Sequence, residues 1–163
     1  MSRMYSHILV AIENSNADRT VLEHVQQLAK LTGASLLLVH VADGWAARHY
    51  DELALRESEE MKDDRAYLQK IQAQLAASGF DASTHLAMGD PATELVRVAE
   101  AEHVDLIAMS THGHRWLKDL LYGSVASEVR HRSKVPVLLV RGTPGPTGRP
   151  SGGFGTAAGT PGA

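Results

Sequence analysis

The sequence predicts an α/β protein built on a doubly wound, five-stranded parallel sheet of order 3-2-1-4-5. Short continuous apolar runs alternate with amphipathic stretches along most of the chain. The runs have no polar face, as strands covered on both sides require. Strand–helix alternation joined by right-handed crossovers leaves this order as the simplest topology.

His7-Ile8-Leu9-Val10-Ala11-Ile12-Glu13 is the first strand, and Asn14-Ser15-Asn16 breaks it with side chains suited to turns and helix caps. From Ala17 to Leu31, the residues Val21, Leu22, Val25, Leu28 and Ala29 fall on one helical face, and Gly33 stops the helix. Ser35 to Val41 is a second buried strand. A polar segment follows, then a helical composition to Ser78, with Leu68, Ile71 and Leu75 at core spacing. The first half of that helix, Glu57 to Arg65, is charged enough to be expected to project from the body. Asp81 to Ala87 is a weaker third strand.

Asp90-Pro91 reads as an N-cap followed by proline at the first helical position. Ala92, Leu95, Val96 and Ala99 form the apolar stripe of that helix, which His103 ends. Val104 to Met109 is the fourth strand, and a last helix runs from about Ser124 to Ser133. Val135-Pro136-Val137-Leu138-Leu139-Val140 is the fifth, with its proline at a position that a strand start or an edge tolerates. Residues 1–141 thus form one domain. From Gly142 to Ala163 the chain is rich in Gly, Pro, Ser and Thr. Such a tail buries too little surface to offset its ordering entropy and is expected to be disordered.

Bulk properties narrow the function. The 163 residues carry a formal net charge of -3, which leaves no basic footprint for nucleic acid. There is no cysteine, so disulfides, thiolate metal sites and a cysteine nucleophile are excluded. Met1 to His7 lacks the apolar core of a secretory signal, and no run approaches the roughly 20 residues of a membrane span. The expectation is a cytoplasmic protein.

In a 3-2-1-4-5 sheet the chain reverses direction between strands one and four, and a ligand belongs beyond their C-terminal ends. That places the site near Ile12, Glu13 and Ser15 on one side and near Met109, Ser110 and Gly113 on the other. Ser110 to Ser124 runs from a strand through a glycine-containing loop to a helix N-terminus, where free N–H groups favour an anion. Gly123, Ser124 and Val125 open that helix, and His114, Arg115 and Lys118 lie in the loop before it.

These residues resemble the universal stress protein family over Tyr5 to Arg141. The resemblance rests on His-Ile-Leu-Val-Ala-Ile at the start, Val-His-Val closing strand two, and Gly-Asp-Pro-Ala before the third helix. Its strongest part is Asp-Leu-Ile-Ala-Met-Ser-Thr-His-Gly, then nine residues, Gly-Ser, and later Pro-Val-Leu-Leu-Val. It implies the adenine nucleotide alpha hydrolase-like fold and binding of ATP, with AMP, ADP or cyclic AMP as alternatives and magnesium carried on the phosphates. The family's ATP-binding pattern is Gly, two residues, Gly, nine residues, then Gly and Ser or Thr. Gly113, Gly123 and Ser124 match it, whereas Ser110 replaces the first glycine and sets a Cβ where the ribose would lie. Glu13 stands where the family commonly has an aspartate for the ribose or adenine. Val41 falls where backbone groups recognise adenine. A homodimer through strand 136–141 is also implied, and its apolar edge is a physical reason to pair.

Other chemistries have less support. His112 and His114 lack the further ligands of a zinc site. His40, in a buried strand, reads as a satisfied core histidine, and Trp45 and Trp116 as rim or packing residues. No Walker lysine motif or dinucleotide fingerprint is present, and neither Glu13 nor Ser124 has a recognisable catalytic partner. A fast ATPase is not expected. A stress-linked interaction protein without nucleotide, and slow hydrolysis or self-phosphorylation at Ser124, remain as alternatives.

Overall fold

A computed structural model describes residues 4–43, 59–111 and 124–141. Its elements are β1 (His7–Ala11), α1 (Ala17–Thr32), β2 (Ser35–Asp43), α2 (Glu59–Ala77), β3 (Ala82–Gly89), α3 (Pro91–Ala101), β4 (Leu106–Ser110), α4 (Ser124–Arg132) and β5 (Val137–Val140). The sheet is five-stranded, all its pairings are parallel, and its order is β3-β2-β1-β4-β5. The expected fold class holds.

Alternation along β1 explains why its apolar run is unbroken. Ile8, Val10 and Ile12 pack with Val21, Leu22 and Val25 of α1 and with Leu68, Ile71 and Leu75 of α2. Leu9 and Ala11 face the other layer, with Leu95, Val96 and Ala99 of α3 and Ala126 and Val129 of α4. With helices on both faces, neither set of β1 side chains can be polar.

Local signals act as their chemistry requires. Gly33 takes the left-handed conformation at φ 71° and donates its N–H to the Ala29 carbonyl, closing α1. The Asp90 carboxylate accepts the Thr93 N–H at 2.9 Å, with Pro91 at the first helical position. His103, at φ 52°, turns the chain out of α3.

Several boundaries differ from expectation: β1 ends at Ala11, two residues before Glu13, and β2 runs to Asp43, two residues beyond Val41. β3 runs two residues further than Ala87, because parallel pairing with β2 continues to Gly89 opposite Asp43. β4 begins only at Leu106 and includes Ser110, which pairs with Val140. β5 begins after Pro136. Of the segment expected to project, Glu57 and Ser58 lie outside the described residues and Lys62, Asp63 and Arg65 are exposed, but two residues turn inward. Met61 and Asp64 are 8% and 2% exposed, because Asp64 reaches inward to partners in β2 and the β1–α1 loop. Charge density alone cannot reveal a carboxylate with a distant buried partner. The expected tail, 142–163, lies outside the described residues. No helix among the described residues is long and apolar enough to cross a membrane.

Candidate functional site

β1 and β4 are neighbours, yet β1 leads to α1 on one face and β4 leads towards α4 on the other. The crevice between their C-terminal ends is the switch point. The β1–β4 register, carried two residues beyond its last pair, sets Ile12 level with Ser110. The β1–β2 register carried on in the same way sets Glu13 level with Val41. Ile12 still belongs to the sheet through its N–H, which donates to the Val39 carbonyl at 2.8 Å.

The β1 side of the crevice is densely bonded. The Asp18 carboxylate, in the first turn of α1, accepts the Glu13 N–H at 2.8 Å and the Ser15 N–H at 3.1 Å. The Tyr67 hydroxyl of α2 donates to the same carboxylate at 3.1 Å. Ser15 Oγ accepts the Ala17 N–H and donates to Glu13 Oε2, both at 3.2 Å. Asn16, although adjacent to the helix, makes no capping bond with its side chain. The helix start is capped instead by Ser15 Oγ, which accepts the Ala17 N–H, and by the Asp18 carboxylate, which accepts the Ser15 N–H.

Two buried carboxylates this close cannot ionise independently. Burial, and then the Asp18 charge, push the Glu13 carboxyl up to about 7. Burial also raises Asp18, against the pull of its hydrogen-bond donors. Asp18 has three donors and the Glu13 carboxyl has one, which favours the charge on Asp18 and the proton on Glu13.

Behind this corner lies a second buried pair. His40 Nδ1 donates to the Ile12 carbonyl at 2.6 Å, and its Nε2 faces Asp64 Oδ2 at 3.0 Å. Asp64 Oδ1 accepts from Asn14 Nδ2 at 3.0 Å, and Asn14 holds φ at 58°. His40 is satisfied, as expected. Asp18, Asp64, Tyr67 and Asn14 were not among the expected site residues. Ser15-x-x-Asp18 is a capping-box pattern that could have revealed Asp18. No local signal links Asp64 to His40.

The β4 side is described up to Thr111 and again from Ser124. Met109 is buried against the α3–α4 layer, and Ser110 is 6% exposed at the strand end. Val125 packs on the same layer at the start of α4. The Ser124 hydroxyl oxygen, at the residue that opens α4, is buried and has no hydrogen-bond partner among the described residues. Gly113 and Gly123, the expected loop residues His112, His114, Arg115 and Lys118, and Trp45 and Trp116 lie outside the described residues.

A recess of about 300 Å³ lies at the other end of the strands, lined by Val96, Glu100, His103, Val104, Lys134 and Val135. Its polar rim is closed by an exposed Glu100–Lys134 ion pair at 3.0 Å, which is worth little energetically. It holds no convergent chemistry. The crevice is the better candidate because buried polar groups meet there.

The sequence model of the Universal stress protein family matches residues 4–141. The universal stress protein MJ0577 of Methanocaldococcus jannaschii is 30% identical over 86% of this chain and 98% of its own length. The MJ0577 structure superposes with a TM-score of 0.71, covering 87% of this chain and 99% of that one at 31% identity. Two further structures share the fold. A universal stress protein in complex with cAMP has a TM-score of 0.60 at 24% identity, covering 84% of this chain and 97% of its own. The Archaeoglobus fulgidus universal stress protein in complex with dAMP has a TM-score of 0.62 at 21% identity, covering 85% and 99%. Matched along its described sheet and helices, the chain belongs to the universal stress protein family.

Proposed function

We propose that this protein binds an adenine nucleotide, ATP foremost, in the β1–β4 crevice and acts as a nucleotide-dependent regulator in a stress response. The observation that carries the reading is Ser124. A buried hydroxyl without a partner costs about 1–3 kcal/mol, and a ligand oxygen at the α4 N-terminus would recover that loss. The same helix end offers N–H groups and a favourable dipole to phosphate. Gly113 and Gly123 extend this cradle by their sequence spacing.

On the other side, Glu13 would meet the ribose hydroxyls, Val41 the adenine through its backbone, and Ile12, Ser15, Met109, Ser110 and Val125 would line the crevice. The fold carries cAMP in one related structure and dAMP in another, which supports an adenine nucleotide as ligand. A cytoplasmic location fits this reading. So does a homodimer through β5, an edge strand on which Leu139 is 39% exposed. A solution mass equal to two chains is expected.

A second reading, a stress-linked interaction protein without nucleotide, draws its support from Ser110, whose side chain is buried where the family pattern has glycine. Mass spectrometry of small molecules released from freshly purified, denatured protein separates the two. An adenine nucleotide near one per chain is expected. No released nucleotide, together with no ATP binding at millimolar concentration, would leave only the second reading.

A further inference from the structure

Helix α2 contributes two side chains to the crevice corner from outside it. Asp64 and Tyr67 are three residues apart and therefore share one helical face. Asp64 holds His40 at 3.0 Å and Asn14 at 3.0 Å, and His40 in turn holds the Ile12 carbonyl at 2.6 Å. Tyr67 holds Asp18 at 3.1 Å, and Asp18 holds the Glu13 and Ser15 N–H groups. The residue on each side of Glu13 is thus tied to Asp64, and the Glu13 amide is tied to Tyr67 through one intermediate.

We propose that Asp64 and Tyr67 are positioning residues that set the Ile12–Ser15 corner for the nucleoside half of the ligand. This makes α2 the element through which the chain tunes affinity. The inference rests on the nucleotide reading of the crevice and adds to it a division of labour. The corner, braced by α2, would decide nucleoside binding, whereas α4 would decide phosphate binding.

Hydrogen-bond chemistry makes the brace directional. The Ile12 carbonyl can only accept, so the Nδ1 proton of His40 is committed to it. Nε2 is therefore the ring nitrogen left to face the Asp64 carboxylate, whose other oxygen is occupied by Asn14. With Asp64 and His40 only 2% and 4% exposed, water cannot replace a lost partner, and loosening is transmitted to residues 12 and 14. Asn14 holds a left-handed conformation that asparagine tolerates better than most residues, and its side-chain bond to Asp64 stabilises that turn.

The test compares two ligands on two variants. Asp64→Asn removes the charge from the brace, and Tyr67→Phe removes one hydroxyl without changing shape. Binding of ATP and of inorganic tripolyphosphate is measured by calorimetry on the full chain, alongside thermal unfolding. Both variants are expected to weaken ATP binding by about fivefold or more while changing tripolyphosphate affinity less than twofold. If the two ligands weaken equally, in step with a lower Tm, the residues are merely structural and the inference fails. If a folded Tyr67→Phe protein binds both ligands like the wild type, it also fails, whatever the fate of Asp64→Asn. Wild-type binding with unchanged variants overturns this inference alone. Absence of ATP binding by the wild type overturns the nucleotide reading itself and this inference with it.

Discussion

Among the described residues, the two sides of the crevice differ in how their buried polar groups are satisfied. On the β1 side, three buried carboxylates, an imidazole and a phenol are bonded to one another and to the backbone. On the β4 side, a buried hydroxyl at a helix N-terminus has no hydrogen-bond partner among the described residues. A self-satisfied network fixes geometry in advance, since breaking any one bond leaves a buried group unpaired. An unpaired group leaves binding energy to be realised with a ligand. Under the proposed function, one side of the crevice would be preorganised and the other would be completed by the ligand.

The largest expected effect tests the preorganised side through pH. The Glu13 carboxyl, raised from 4.5 to about 7, binds its proton more tightly in the folded chain than in the unfolded one. Its contribution to stability is therefore fully present below about 4.5 and is lost as pH rises through about 7. The shift corresponds to roughly 3 kcal/mol. Glu13→Gln should flatten that decline, measured as denaturant midpoints between pH 4 and 8. A wild-type curve without a fall in that window would break the picture of a crowded carboxylate pair.

A smaller effect tests the other side. Ser124→Ala removes the orphan hydroxyl, so the ligand-free protein should be unchanged or more stable by up to about 1 kcal/mol. ATP affinity should fall about tenfold, the equivalent of one good hydrogen bond. A destabilised ligand-free protein with unchanged ATP affinity would reverse the assignment.

The smallest effect concerns Ser110. Ser110→Gly removes the Cβ that the family pattern avoids, and ATP binding should be equal or up to a few-fold tighter. The cost of a glycine in a strand is about 0.5–1 kcal/mol of stability. Clearly weaker binding would show that Ser110 makes a needed contact.

The β4 side was the more legible of the two in the sequence. Its apolar run and the serine at the helix start are local patterns, and Met109, Ser110, Ser124 and Val125 lie at the strand end and helix start, whereas Gly113 and Gly123 lie outside the described residues. The β1 side was legible only in its backbone. Glu13 and Ser15 were found from strand and turn signals, and Asp18 had a capping-box signal overshadowed by Asn14 and Asn16. Asp64 sits among Lys62, Asp63 and Arg65, where nothing marks one carboxylate as buried. Its partner His40 is brought to it only by the crossover from β2 through α2 to β3, and pairing across such distance has no periodicity to read. Strand ends shifted for a related reason, since pairing with a neighbour, and not local composition, determines where a parallel strand stops.

The proposed function has the two sides of the crevice together hold one adenine nucleotide. Isothermal titration of the wild-type chain with ATP tests it most directly. The account predicts saturable binding at one site per chain with a dissociation constant at or below about 1 mM, a free energy near −4 kcal/mol or stronger. A titration that gives no binding heat and no saturation at millimolar ATP, in protein first stripped of any co-purifying nucleotide, would contradict it.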